Sequence, residues 1–183
     1  RLAQHLRREP LIVGYLVTLA CEGLTMEGVH QVLQSGPLGA ESRHALDTEL
    51  ALRDNMDGYR GALRSERAFA LSAMRELPGY DFWFTRGFAN DGTSHLLALM
   101  GGYLADAGRP YQELAAERKT IHKPNSSRAS YRVAELLRPA LDKTRESTER
   151  IRASGRALRV LNALQSRAAS ADGVPDLAEL GLP

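Results

Sequence analysis

The side chains that could do chemistry are concentrated in one stretch of the chain, residues 80–95. The candidate catalytic groups in it are Asp81, Arg86, Asp91 and His95. Asp91 and His95 are four residues apart, so on a helix they would share one face. A carboxylate that orients an imidazole is a device of general acid–base catalysis. The pattern therefore makes a hydrolase-like active site one hypothesis for this chain.

The same stretch also has a purely structural interpretation. Asp91, Gly92 and Thr93 are typical of a turn followed by a helix cap, because the Asp and Thr side chains bond to nearby backbone groups. Residues 80–94 are rich in aromatic side chains and fit neither the strand period nor the helix period. We therefore predict an irregular loop or short helical turns that plug the core there, with Thr93 or Ser94 capping the next helix.

Other motifs of catalysis or cofactor binding are missing from the sequence. The five histidines are dispersed, without the spacing of zinc ligands, and a single cysteine, Cys21, excludes a multi-cysteine site. Gly101 and Gly102 lack the surrounding residues of a phosphate-binding loop. The sequence accordingly predicts no metal and no cofactor, and it makes an enzyme the less favoured interpretation.

The elements that would position these residues are predicted to be helices throughout. The chain is rich in Ala, Leu, Arg and Glu, and apolar residues recur at spacings of three and four. We expect an all-α protein, a single domain over residues 1–183, in which orthogonal or antiparallel helical hairpins form a multi-helix bundle. One long C-terminal helix should run from Ser130 to about Ala169, interrupted only by Pro139. Residues 124–130 are predicted to form a surface loop.

The N-terminal part is predicted to be a pair of short helices. Apolar residues from Leu11 favour a helix that ends near Gly23, and Thr25 could cap the next one. The apolar run 11–21 falls short of the roughly 18 residues that a membrane span needs. Because the chain begins at Arg1 within a helical pattern, we expect a fragment of a longer protein, cut at both ends.

The C-terminal half is basic. Residues 118–167 hold 13 Lys and Arg against 4 Asp and Glu, an excess of 13 − 4 = 9. Clustered cations on a helix can bind anions or nucleic acid. However, carboxylates alternate with the arginines at spacings of three and four, which favours a solvated, self-paired face. Nucleic-acid binding is therefore an alternative hypothesis that we do not favour.

Eight short sequences along the chain carry a family resemblance, at residues 2–6, 9–12, 16–17, 22–24, 36–38, 64–68, 109–111 and 173–180. They resemble a family of uncharacterised exported helical proteins of planctomycete-type bacteria. The last resembles the sequence that precedes a pseudopilin-like C-terminal segment in that family. The resemblance implies a membrane anchor upstream of Arg1, an extracytoplasmic location and a further small segment beyond Pro183.

The sequence therefore leaves three hypotheses for the function of this chain. The first is a helical scaffold or protein-interaction domain of an exported, membrane-anchored bacterial protein, with a protein partner or a second copy as its ligand. The second is anion or nucleic-acid binding through the basic C-terminal helix. The third is a hydrolase-like enzyme at residues 80–95. Membrane contact is expected only through the missing upstream anchor.

Overall fold

The computed structural model describes residues 11–76, 83–120 and 129–168, and these ranges contain α-helices and no β-strand. This confirms the all-α prediction. The helices are α1 (Ile12–Ser35), α2 (Ala40–Arg53), α3 (Asp57–Arg75), α4 (Trp83–Asp106), α5 (Tyr111–Thr120) and α6 (Ala129–Ala168).

Helix α6 is the centre of the bundle. Its 40 residues include Pro139 and correspond to a length of about 60 Å. It packs against α4, α1 and α2, while α3 packs against α4 and α1. The prediction of one long C-terminal helix is confirmed. Because most helices lie against α6, its side chains hold the rest of the fold together.

Helix α1 corrects the prediction of two short helices. The chain continues as a helix through Gly23, which faces Ile151 of α6: a Cβ there would lie 3.4 Å from the Ile151 Cδ1 atom. Thr25 is not a cap, since its hydroxyl donates to the Cys21 carbonyl within the helix. The helix ends at Gly36, which has a positive φ of 147°.

The continuity of α1 also changes its apolar length. At 24 residues it is long and apolar enough, by length and composition alone, to cross a membrane. In this fold 39% of its most apolar window is buried. One face of α1 therefore belongs to the protein core, and the helix is longer than the apolar run 11–21 that the sequence argument considered.

The core consists of clusters of buried apolar side chains along α6. The largest joins α1, α3, α4 and α6, a second joins α1, α2 and α6, and a third lies mainly on α4. Their buried members include Tyr15, Leu19, Tyr59, Leu63, Tyr103 and Leu141 in the first, Met26, Leu33, Leu50 and Leu158 in the second, and Leu96 and Met100 in the third.

Helix α4 corrects the prediction of an irregular loop or short helical turns at residues 80–94. From Trp83 the segment is helical and continues through Asn90, Asp91 and Gly92. Gly92 is buried within the helix and does not form a turn. The Ser94 hydroxyl donates to the Asn90 carbonyl inside the helix and caps nothing.

Several predictions fall outside the residues that the structure describes. They concern residues 1–10, 80–82 and 169–183. The predicted surface loop at 124–130 lies partly outside as well, and its last two residues, Ala129 and Ser130, belong to α6.

Candidate functional site

Two of the predicted catalytic residues lie together on α4. His95 Nε2 is 3.6 Å from Asp91 Oδ1, one helical turn away, as their spacing predicts. The two side chains are 37% and 39% exposed, so this contact lies at the solvent-accessible surface. Arg86 belongs to the same helix, and Asp81 falls outside the described residues. The contact between Asp91 and His95 resembles the common side-chain pairs one turn apart on a helix surface.

A larger polar site, which sequence reasoning missed, joins α6 to α2. We name it the arginine clasp: Arg152, Arg156 and Arg159 of α6, with Asp47 of α2 and Asp54 at its C-terminal end. Arg152 Nε and Arg156 Nε each donate to one oxygen of Asp54, at 2.8 and 2.6 Å. Arg159 Nε donates to Asp47 at 2.8 Å.

The spacing of the arginine clasp follows from two antiparallel helices. Asp47 and Asp54 are seven residues apart, which is two helical turns, and so are Arg159 and Arg152. The earlier aspartate pairs with the later arginine. The clasp therefore fixes both the direction and the register of α2 on α6.

The protonation of Asp54 is set by this contact. Partial burial by itself raises the pKa of the carboxyl, but the hydrogen bonds from Arg156 and Arg152 and their positive charge outweigh it. The pKa of Asp54 therefore lies below its ordinary value. The hydrogen bond to Asp54 in turn raises the pKa of Arg156. Both groups remain ionised at neutral pH, and the attraction persists there.

One arginine of α6 is almost completely buried and has a structural role. Arg145 is 2% exposed and donates to the backbone carbonyls of Ala107 and Arg109 at 3.2 and 2.9 Å. It also pairs with Glu149 at 2.8 Å and lies 5.5 Å from the centre of the Tyr59 ring. Through these contacts Arg145 anchors the turn between α4 and α5 to α6.

A cleft of about 640 Å³ lies between α6 and that turn. Its charged lining residues are Arg109, Arg150, Arg152, Arg156, Glu146 and Glu149. Each of these arginines already has a carboxylate partner: Arg150 pairs with Glu146, Arg109 with Glu117, and the other two with Asp54. Charge compensation therefore leaves little attraction for an external anion, although the local sequence is basic.

The outer face of α1 carries an apolar surface of a different kind. We name it the α1 stripe: Val13, Val17, Ala20 and Leu24, all exposed. Val13 and Leu24 are 70% and 72% exposed. The residues follow one another at intervals of four, three and four, so they lie on one side of the helix. The opposite side packs against α3 and α6.

Within the described ranges, no group of three His, Cys, Asp or Glu side chains is placed to hold a metal ion. No protein-family model matches the chain, and no curated protein and no solved structure is significantly similar to it. The family resemblance therefore stays a prediction, and arguments about function depend on the surfaces described above.

Proposed function

We propose that this chain is a non-enzymatic helical interaction domain that associates with a second copy of itself through the α1 stripe. The observation that supports the proposal is an exposed row of apolar side chains on a helix whose other face is in the core. Such a row is typical of a protein-interaction or membrane-contact surface.

The spacing of the α1 stripe suits a second helix. Intervals of four, three and four are those of the contact positions in helices that cross at about 20°. The pattern is also the same when read from either end, about a midpoint between Thr18 and Leu19. A twofold axis at that midpoint would place Val13 of one copy opposite Leu24 of the other, and Val17 opposite Ala20.

Charge favours a protein partner over a lipid surface. The 24 residues of α1 contain no Lys or Arg. Helices that lie in a membrane surface usually combine an apolar face with basic side chains that attract anionic headgroups. Two uncharged stripes can approach each other without repulsion.

The alternative functions have weaker support. Anion or nucleic-acid binding requires free cations, whereas the described arginines along the cleft are paired with carboxylates. A hydrolase at residues 80–95 would rest on Asp91 and His95, which form a solvated pair on a helix surface. The exported, membrane-anchored setting rests on the family resemblance alone, and recovery of the protein from the cytosolic fraction of its source cells would rule it out.

Sedimentation velocity across a range of protein concentrations tests self-association. Because four side chains cover less than the roughly 800 Å² per partner of a stable interface, we expect a dissociation constant of about 1–100 μM. Val17→Glu should abolish the dimer by placing a charge in the contact. Leu52→Glu, at an exposed apolar residue of α2 outside the stripe, should leave the dissociation constant unchanged.

The outcomes separate the two candidate occupants of the stripe. A protein that stays monomeric at every concentration, or a Val17→Glu variant that dimerises normally, would contradict the proposal. A monomer that co-sediments with phosphatidylcholine vesicles, and loses this through Val17→Glu, would show that the α1 stripe contacts lipid instead. Circular dichroism confirms that each variant retains its helices.

A further inference from the structure

Helix α2 is attached to the bundle mainly through polar contacts. Leu50 is its one fully buried apolar side chain, and Leu46 is half-buried beside it. Leu38, just before α2, packs against the same cluster. The remaining anchors to α6 are polar: the arginine clasp, and Asn162, whose side-chain amide donates to the Arg43 carbonyl at 3.1 Å. Elements that bury few apolar side chains open locally at lower free energy than the core does.

Both ends of α2 are short non-helical segments. Gly36 has a φ of 147°, which only glycine adopts readily, and Pro37 follows it. At the other end, residues 54–56 separate α2 from α3. Each segment is held by one apolar side chain, since Leu38 packs against the second core cluster and Met56 is buried in the first. Movement of α2 would therefore hinge at Gly36 and at residues 54–55.

An apolar groove between α1 and α6 lies beneath α2. Its buried residues are Met26 and Leu33 of α1 and Leu158 of α6, and Leu33 is fully buried. The arginines of the clasp lie along one rim. With α2 in place, Leu50 fills the groove and Asp47 and Asp54 neutralise the rim.

We propose that α2 is an exchangeable lid, and that the groove beneath it binds an acidic amphipathic helix of a partner protein in the place of α2. The partner helix is defined by the contacts that α2 makes. It carries two carboxylates seven residues apart, for Arg159 and for Arg152 with Arg156, and a leucine three residues after the first carboxylate. This groove is separate from the α1 stripe, so the proposal does not depend on self-association.

The lid sets how strongly a partner can bind. A tethered helix competes at an effective concentration in the millimolar range. A helix added from outside must therefore displace the tethered α2, so its binding to the wild-type chain should be weak. Weakening the apolar anchor of α2 while keeping the arginines should expose the groove and strengthen binding.

A fluorescent peptide of residues 37–56 is the probe, titrated by anisotropy against the wild-type chain and against Leu50→Ala. We expect the variant to bind the peptide at least about tenfold more tightly, because its own lid competes less. Leu52→Ala, at an exposed position of the same helix, is the matched control and should bind as the wild type does. Equal affinities for wild type and Leu50→Ala would overturn the proposal.

Two further measurements complete the test. A peptide with Asn in place of Asp47 and Asp54 should bind about tenfold more weakly at low salt, and an unchanged affinity would contradict recognition by the clasp. Hydrogen exchange on the wild-type chain needs no variant to fold. The α2 amides should exchange at least about tenfold faster than those of α6 near Leu158, and exchange of α2 only through global unfolding would rule out a lid.

Discussion

The exchange of Asp54 for Asn tests the arginine clasp directly. The substitution keeps the size of the side chain but removes its charge, and it places an amide nitrogen opposite one of the two arginines that now donate to it. Asp54 and Arg152 are 20% and 18% exposed. The contact therefore lies between exposed ion pairs, worth about 0.2–1 kcal/mol, and buried ones, whose disruption costs about 3–5 kcal/mol.

From this position we expect Asp54→Asn to lower the free energy of unfolding by about 2 kcal/mol at pH 7. For a chain of this length that corresponds to a fall in Tm of about 4–8 °C. The assay is urea unfolding followed by circular dichroism. Glu49→Gln is the matched control. Glu49 lies on the same helix, is 63% exposed and is 3.8 Å from Arg53. Its substitution should therefore lower the free energy of unfolding by no more than about 0.5 kcal/mol.

The stabilisation that Asp54 contributes should depend on pH, and the direction of that dependence follows from its pKa shift. The folded-state pKa of Asp54 is depressed, so its stabilisation is present above the unfolded-state pKa of about 3.9 and is lost as the pH falls through the lower folded-state value. The difference in free energy of unfolding between wild type and Asp54→Asn should have its full size at pH 7. It should shrink as the pH falls below about 4. A difference that persists unchanged at pH 3, or equal losses for Asp54→Asn and Glu49→Gln, would refute the reasoning.

Three further predictions concern the core, helix packing and charge. Leu33→Ala should lower the free energy of unfolding by about 3 kcal/mol through a cavity, and Val32→Ala by no more than about 0.5 kcal/mol; equal losses would contradict the burial of Leu33. Gly58→Ala should lower the free energy of unfolding by about 1 kcal/mol, because its Cβ would lie 3.0 Å from the Tyr15 ring. Gly61→Ala has no atom near its Cβ and should raise the free energy of unfolding by about 0.5 kcal/mol. The opposite order of stabilities would refute this packing. Duplex DNA should bind without a steep dependence on salt, and a log–log slope of about −4 or steeper would contradict the charge compensation of α6.

The helical architecture could be predicted because its signals are local. Side-chain preferences and apolar spacing indicate helices, and the pattern after Ser130 predicts α6 with Pro139 inside it. The errors arose at glycines. Gly23 and Gly92 have the local signature of helix ends, but both lie inside helices, where the first faces Ile151 of α6 and the second is buried. Whether a helix continues through a glycine depends on neighbours that are distant in sequence.

The polar contacts likewise divide into those that local spacing predicts and those that depend on how distant helices pack. The Asp91–His95 pair follows from helix periodicity alone, and the structure places the two side chains in contact. The contacts of Asp54 with Arg152 and Arg156 span about a hundred residues. Their one signal in the sequence is that Asp47 and Asp54 share a seven-residue spacing with Arg152 and Arg159. That signal has meaning only once two helices are known to pack antiparallel.

Mixed disulfide formation is the most direct test of the central claim, association of two copies through the α1 stripe. Val13→Cys and Leu24→Cys would be made separately in a Cys21→Ser background and mixed before mild oxidation. Antiparallel pairing places residue 13 of one copy opposite residue 24 of the other, while like positions lie about 16 Å apart along the axis. The account predicts a disulfide-linked heterodimer on mixing and no homodimer of either variant. Homodimers of each variant alone, or no cross-link at all, would contradict it.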